Sequence, residues 1–306
     1  MPLVSVITIN YNNTDVTEEL LASLPTGNDS FKLEVIVVDN GSSPDPVPAW
    51  KEKYPHFAFI RSEINLGFSK GNNLGIKKSS GEFLFLVNND TVFTEDLIPQ
   101  MLRVFQQNSR IGIASPKIYY FGQEKMIQYA GFTEMNMLTG RNRCIGQFET
   151  DEGQYDEKTG PTGYVHGAAM MVRREVLTRA GMMPEDFFLY YEEMDWCEKI
   201  RAAGYEVWVV PTAVIYHKES VSVGKSSALK EYYMNRNRIL FIRRNASAVK
   251  RLGFYLYFLL IVTPRNIFNY LRAGRYEFIP VLLRAIGWNL FNNKTRVQPV
   301  SATELK

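Results

Sequence analysis

The chain has 306 residues, 45% of them hydrophobic and 22% charged, the proportions of an ordinary folded protein, which exclude disordered and fibrous classes. Two cysteines, Cys144 and Cys197, cannot build a disulfide framework, and no second Cys or His stands at the spacing of a structural zinc knuckle, so a reducing compartment is expected. The net charge of +3 hides an asymmetry: from Lys225 to Lys306 there are 15 Lys and Arg against 3 Asp and Glu, so this tail carries +12 and the preceding 224 residues −9.

The first residues, MPLVSVITINYNN, lack the basic start, apolar stretch and cleavage site of an export signal, which predicts a chain that is not exported. Leu3–Ile9 is rich in β-branched residues, Asp15–Leu24 has helical spacing, and Leu33–Val38, Phe57–Ile60 and Phe83–Val87 are further short apolar runs. Strands with almost no polar face are covered on both sides. This predicts a mainly parallel α/β sheet whose ligands collect beyond the carboxyl ends of its strands. The residues to watch are then Asn10–Asn12, Asp39–Ser43 and Asn88–Asp90.

A helical pattern at Leu97–Phe105 is followed by Gly122–Gly163, which is polar, dotted with glycine and without a readable period. Periodicity returns at His166–Val172, with helices expected from Arg174 to about Ala180 and over Glu192–Ala203, and strands at Glu206–Val210 and Ala213–Tyr216. The expected boundary falls near Gly224, between a catalytic part, 1–224, and a basic, apolar helical extension, 225–306. In the extension, Leu252–Val262 is an unbroken apolar run of 11 residues, well short of the roughly 20 that span a bilayer. Lys250, Arg251, Arg265, Arg272, Arg275 and Arg284 surround it and a second apolar group, Phe278–Leu283. That arrangement predicts an extension resting on an anionic membrane surface, not on nucleic acid; the alternative is a core helix packed on the catalytic part.

Several polar groups sit where chemistry is expected. Asp39 closes an apolar strand ahead of Asn40-Gly41-Ser42-Ser43; it is placed either to accept hydrogen bonds from a base or sugar, or to fold back on its own turn. Asn65-Leu66-Gly67 and Gly71-Asn72-Asn73-Leu74-Gly75 supply small residues and amides for close backbone approach. Asn88-Asn89-Asp90 ends a buried strand, and Asp90 is suited to hold a divalent ion against a diphosphate, unless the segment is a turn and helix cap. Glu192, Glu193 and Asp195 open a helix in an aromatic setting. Asp195 and Lys199 read as a surface pair, whereas Glu193 shares the apolar stripe of Cys197 and Ile200, where a raised pKa suits a general base. His217 follows a strand, as a structural residue or, paired with Asp90, as a metal ligand. His56 reads as surface, and His166 lies beside Gly167.

Taken together, these segments resemble the family 2 glycosyltransferases, and within them the bacterial rhamnosyltransferase-like branch. The matching residues run in the family's order from Val4–Asn12 through Val37–Ser42, Asn65–Phe68, Asn72–Gly75, Asn88–Asp90, Gly167–Met170, Tyr191–Asp195, Ala203–Tyr205 and Ile215–His217 to Tyr233 with Arg236-Asn237. The resemblance implies a GT-A fold over 1–224, with about 1–120 holding the nucleotide sugar and about 160–224 the acceptor, and inverting transfer of a sugar from a UDP or dTDP donor, dTDP-rhamnose among the candidates, to a hydroxyl of a saccharide or lipid-linked acceptor. It implies Mg²⁺ or Mn²⁺ as cofactor and a cytoplasmic enzyme at the inner face of the plasma membrane, working in cell-surface polysaccharide synthesis. Carried over by position, Glu193 is the base, with Glu192 as the alternative and Asp195 beside them; Asp90 and His217 hold the metal. Asp39 contacts the pyrimidine, with Thr8, Asn10, Asn65, Gly67, Asn73 and Asn89 around the donor, and Gly167, Trp196 and Arg236 face the acceptor or close over it. Two departures stand out: Asn88-Asn89-Asp90 has fewer acids than many relatives, and Glu193 stands where relatives often have Asp. A nucleotidyltransferase is the first rival, but Asn10-Tyr11-Asn12-Asn13 is not a Gly- and Lys-rich phosphate loop. A non-catalytic sugar-nucleotide binder is the second, and it would have no need of an inward Glu193.

Overall fold

A computed structural model describes residues 1–25, 30–218 and 227–292. Four parallel strands open the sheet: β1 (Leu3–Asn10), β2 (Lys32–Asn40), β3 (Ala58–Ser62) and β4 (Phe83–Asn88), in the order β3-β2-β1-β4. Helices α1 (Thr14–Ser23), α2 (Val47–Lys53) and α3 (Phe68–Lys78) make the crossovers. Alternation explains the expected double cover. Val4, Val6, Val35, Val37, Phe83 and Phe85 pack on one face, while Ile7, Ile36, Val38, Leu84 and Leu86 pack on the other.

Beyond β4 the sheet becomes mixed, with helices on both of its faces, the arrangement expected of a GT-A fold. β9 (Ala169–Arg173) inserts antiparallel between β4 and β6 (Ile111–Tyr120); β10 (Glu206–His217) runs parallel to β6; and β5 (Thr91–Phe93) pairs antiparallel with the end of β10. Short β7 (Ile127–Tyr129) and β8 (Gly160–Pro161) pair with β6 and β10. The two strands expected at Glu206–Val210 and Ala213–Tyr216 are one strand, with a register shift between Val210 and Val214 that accommodates Pro211. α4 (Leu97–Gln107) covers one face, with α5 (Val176–Ala180) and α6 (Glu192–Ala202) on the other.

The C-terminal helices join that second face. Ile239–Ile242 of α7 (Ala228–Asn245) are buried in the cluster that holds Ile7 and Leu84. α8 (Ala248–Tyr257), a π-turn at Phe258–Val262 and α9 (Thr263–Arg272) then run on without a break, before α10 (Phe278–Phe291) returns against α7. Phe254, Phe258 and Val262 point inward at four-residue intervals, whereas Val249, Leu252, Leu256, Leu259 and Leu260 remain exposed, Leu260 at 70%. The two readings of Leu252–Val262 therefore meet in one helix: one apolar face is core, the other is open. No helix among the described residues is long and apolar enough to cross a membrane. The expected boundary at Gly224 and Lys225 lies outside the described residues.

Candidate active site

Strand register gathers the polar residues at one sheet edge. Asn10 stands opposite Asp39, Ile9 opposite Asn88, and Asp39 opposite Arg61, all at carboxyl ends. Asn10 Nδ2 donates to Asp39 Oδ1 at 2.8 Å and to Ser42 Oγ at 3.0 Å; Thr17 Oγ1 donates to Asn10 Oδ1 and accepts from Asn89 Nδ2, both at 2.9 Å. Asn40 Nδ2 reaches Asn65 Oδ1 at 3.1 Å, and the same oxygen accepts from Gly67 N–H at 2.9 Å. Gly67 takes φ 80°, and its missing side chain lets the Phe188 carbonyl accept from Phe68 N–H at 2.9 Å.

The pairing of β5 with β10 sets Thr91 opposite His217, and this brings Asp90 to the histidine. His217 Nε2 lies 3.1 Å from Asp90 Oδ1, while Nδ1 lies 2.8 Å from Gln128 Oε1. A carboxamide oxygen has no hydrogen to give, so Nδ1 carries the proton and Nε2 faces Asp90 with a lone pair. Asp90 Oδ1 is buried without a hydrogen-bond partner. One carboxylate and one imidazole thus converge, with Asn88 Nδ2 3.4 Å from the same Nε2, and the pair could ligate a cation. No group of three metal-ligating side chains occurs among the described residues, so other ligands would come from a bound diphosphate or water.

His166 adjoins this pair, its ring centroid 6.1 Å from that of His217; burial, reinforced by His217, lowers its pKa to about 3 and keeps it neutral. Next to it, Gly167 lies beside Glu193: a methyl built on Gly167 would stand 3.9 Å from the Glu193 carboxyl carbon and 4.0 Å from Phe68 Cζ. Glu193 is half-buried, on the helix face of the fully buried Cys197 and Ile200. Burial raises its pKa to about 7. Glu192 is closed in at 3% exposure with Oε2 unpartnered, and burial together with the charge of Glu193 pushes it well above the ordinary range. Burial thus favours the protonated form at both positions. Both carboxyls are aimed by a strained entry to α6, where Tyr190 and Tyr191 take φ of 70° and 74°.

Other predicted residues have different immediate tasks. Asp39 is fully buried and its oxygens are engaged by Asn10, by Ser42 N–H at 3.1 Å and by Arg61, so that it folds back on its own turn. Thr8 lies inside the sheet with its hydroxyl unpartnered and does not border open space. Asn73 donates to Met183 O at 2.9 Å and to Glu185 Oε1 at 3.0 Å, tying α3 to the segment before α6. Asp195 is not at the surface: Asn245 Nδ2 at 2.9 Å, Arg244 Nη1 at 3.3 Å and Lys199 Nζ at 3.5 Å surround its carboxylate, which fastens α6 to α7. Trp196 is core, its indole N–H donating to Gly181 O at 3.0 Å. Arg236 is also core, stacked 3.9 Å over Trp288 and donating to Asp186 O at 2.6 Å. Its neighbour Asn237 donates to Leu189 O and Tyr190 O at 2.7 and 2.8 Å, holding the strained bend ahead of Glu192. Gln128 had no signal, because it stands in the polar stretch without period. Arg61 did have one, a charge just past an apolar run.

Comparisons with known proteins bear on the family and the fold. A sequence profile described as "Glycosyl transferase family 2" matches residues 5–180, more than half of the chain. The chain belongs to glycosyl transferase family 2. This family 2 glycosyltransferase is 27% identical over 241 residues to the low-salt glycan biosynthesis hexosyltransferase Agl10 of Haloferax volcanii, covering 77% of this chain and 74% of the relative. It is 23% identical over 243 residues to the N-acetylglucosaminyl-diphospho-decaprenol L-rhamnosyltransferase of Mycobacterium tuberculosis, covering 73% of this chain and 78% of that one. Among solved structures, the fold is similar to a 1–349 segment of S. aureus TarS in complex with UDP-GlcNAc, with TM-score 0.60, 18% identity, and coverage of 95% of this chain and 81% of that chain. It is similar as well to the mannosyltransferase PcManGT from Pyrobaculum calidifontis in complex with GDP-Man and Mn²⁺, with TM-score 0.57, 16% identity, and coverage of 96% and 88%.

Proposed function

We propose that this glycosyltransferase moves a sugar from a UDP- or dTDP-linked donor, dTDP-rhamnose among the candidates, to a hydroxyl of a saccharide or lipid-linked acceptor in cell-surface polysaccharide synthesis. The observation that carries the proposal is the placement of the half-buried Glu193 carboxyl, across Gly167 and His166, from the Asp90 and His217 pair. The relative from M. tuberculosis supports a rhamnosyl donor and a lipid-diphosphate acceptor through its name.

In the proposed reaction Glu193 removes the proton of the acceptor hydroxyl as its oxygen bonds to the anomeric carbon. The bond from that carbon to the donor phosphate breaks, and the electron pair leaves with the diphosphate. One displacement inverts the centre. Asp90 and His217 would hold a divalent ion that neutralises the departing diphosphate, and the imidazole ligand favours Mn²⁺ over Mg²⁺. The basic, apolar C-terminal helices hold the enzyme on the cytoplasmic face of an anionic membrane.

Nucleotide release from UDP- and dTDP-sugars, followed with Mn²⁺, with Mg²⁺ and in excess chelator, tests the proposal. Glu193→Gln is expected to bind nucleotide as tightly as the parent and to turn over at least about a hundredfold more slowly. Near-normal turnover would move the base to Glu192. Undiminished activity in chelator would remove the ion from the scheme.

A further inference from the structure

A cavity of about 580 Å³ lies between the Gly140–Asn142 loop, the start of α6, and helices α7 and α9, apart from the carboxyl and metal-ligand chemistry above. Its polar wall is cationic. Arg141, Lys230 and Arg238 line it against one carboxylate, Glu231, whose Oε1 is already bonded to the Tyr270 hydroxyl and, at 2.7 Å, to Asn235 Nδ2. Neither Arg141 nor Lys230 pairs with a carboxylate among the described residues. Arg238 is held in place by Thr139 O and by stacking on Phe254 and Phe258. Asn142, in the same wall, has a buried Nδ2 without a partner. Three cationic groups and an idle amide donor around one occupied acid form a site for an anion with many acceptor oxygens.

Two neighbours define what else that anion carries. Tyr191, in the cavity wall, precedes Glu192 directly and lies within electrostatic reach of Arg141, Arg238 and Glu193. On the opposite side α9 turns Asn266, Asn269 and Tyr270 into the cavity, while Phe268 and Leu271 of the same helix stay exposed, Phe268 at 62%. We infer that the cavity binds the diphosphate of a lipid-borne acceptor, with Arg141, Lys230 and Arg238 as donors to its oxygens. The lipid leaves over the apolar outer side of α9, and the sugar passes Tyr191 toward Glu193. The inference rests on the reading of Glu193 as the group that receives the acceptor's proton, and it narrows the acceptor from any saccharide to a lipid-diphosphate-linked one.

Geranyl diphosphate, a soluble prenyl diphosphate, serves as the probe, titrated calorimetrically into the full chain in chelator so that no ion at Asp90 and His217 captures it. Arg141→Ala combined with Lys230→Ala removes two cavity charges from side chains outside the core, unlike Arg238. It is expected to weaken binding at least about tenfold, since each charge-assisted bond alone carries about that factor. Lys77→Ala with Lys78→Ala loses the same charge on the exposed end of α3 and is expected to change affinity less than about twofold. Equal affinity of the cavity variant and the parent, or equal loss in both variants, would overturn the inference. So would a cavity variant that binds geranyl diphosphate normally but loses affinity for phosphatidylglycerol vesicles, because the site would then belong to a phospholipid headgroup. If none of the nucleotide sugars is turned over while the cavity variant still loses the probe, the reaction proposed for Glu193 falls and the diphosphate site stands.

Discussion

Adjacent carboxyl groups at the head of α6 differ in what covers them, and this difference carries a pH signature. An exposed Glu releases its proton near 4.3, whereas burial raises Glu193 to about 7 and pushes Glu192 well above the ordinary range. Below about pH 4.3 folded and unfolded chains are protonated alike at both positions. As pH rises, the unfolded chain releases protons that the folded chain keeps, so folding stability falls up to about pH 7 for Glu193 and in the same direction for Glu192. Melting curves should therefore show Glu192→Gln gaining on the parent as pH increases, since the amide needs no ionisation. Activity has the opposite slope, because the base works ionised: kcat/KM should rise tenfold per pH unit below about 7 and flatten above it. A flat profile from pH 5 to 8 would remove Glu193 as the base. The inward face of Glu193 was legible from its helical phase with Cys197 and Ile200. The fates of Asp195, Trp196 and Arg236 were not, because they depend on which side of α6 the distant helix α7 packs.

Helix α7 shapes the site without adding a reacting group. Its Asn237 amide bonds two carbonyls of the Leu189–Tyr190 bend, where consecutive left-handed residues store strain of about 1–3 kcal/mol each. Asn237→Ala should cost about 1–3 kcal/mol of stability and lower kcat more than it raises the donor KM, because the bend relaxes and Glu193 moves from the reacting centre. A larger effect on KM than on kcat would mean that the bend serves donor binding instead. The sequence disclosed the strands whose interiors are apolar, and with them the carboxyl edge holding Asn10, Asp39 and Asn88. It concealed β6, whose middle reads Ser115-Pro116-Lys117. Lys117 is buried there because Asp151 and, at 2.6 Å, Asp156 come back to neutralise it. The same pairs explain why Gly122–Gly163 folds without a period: polar bonds to β6 and β7, not an apolar stripe, fix its course. β5 escaped notice because three residues are too few for a pattern, yet its pairing brings Asp90 to His217.

At the scale of the whole molecule, the open apolar face of α8 and α9 and the basic residues around it predict binding to lipid. The protein should sediment with vesicles containing phosphatidylglycerol at low salt and come off in part as salt rises, since the charge attraction, about 1 kcal/mol per basic residue, is screened and the apolar contact is not. Leu256→Ser with Leu260→Ser should weaken the salt-resistant share without unfolding the protein, as both side chains are exposed. Equal recovery on neutral and anionic vesicles would assign binding to the apolar face alone. The −9 and +12 of the two parts also make the molecule an electric dipole. Near a negatively charged surface such a body feels a torque as well as a pull, so it turns to present its C-terminal helices before it arrives. Each landing is then already oriented, and a search for a partner carried in that surface proceeds by lateral diffusion in two dimensions, not by repeated collisions from bulk water.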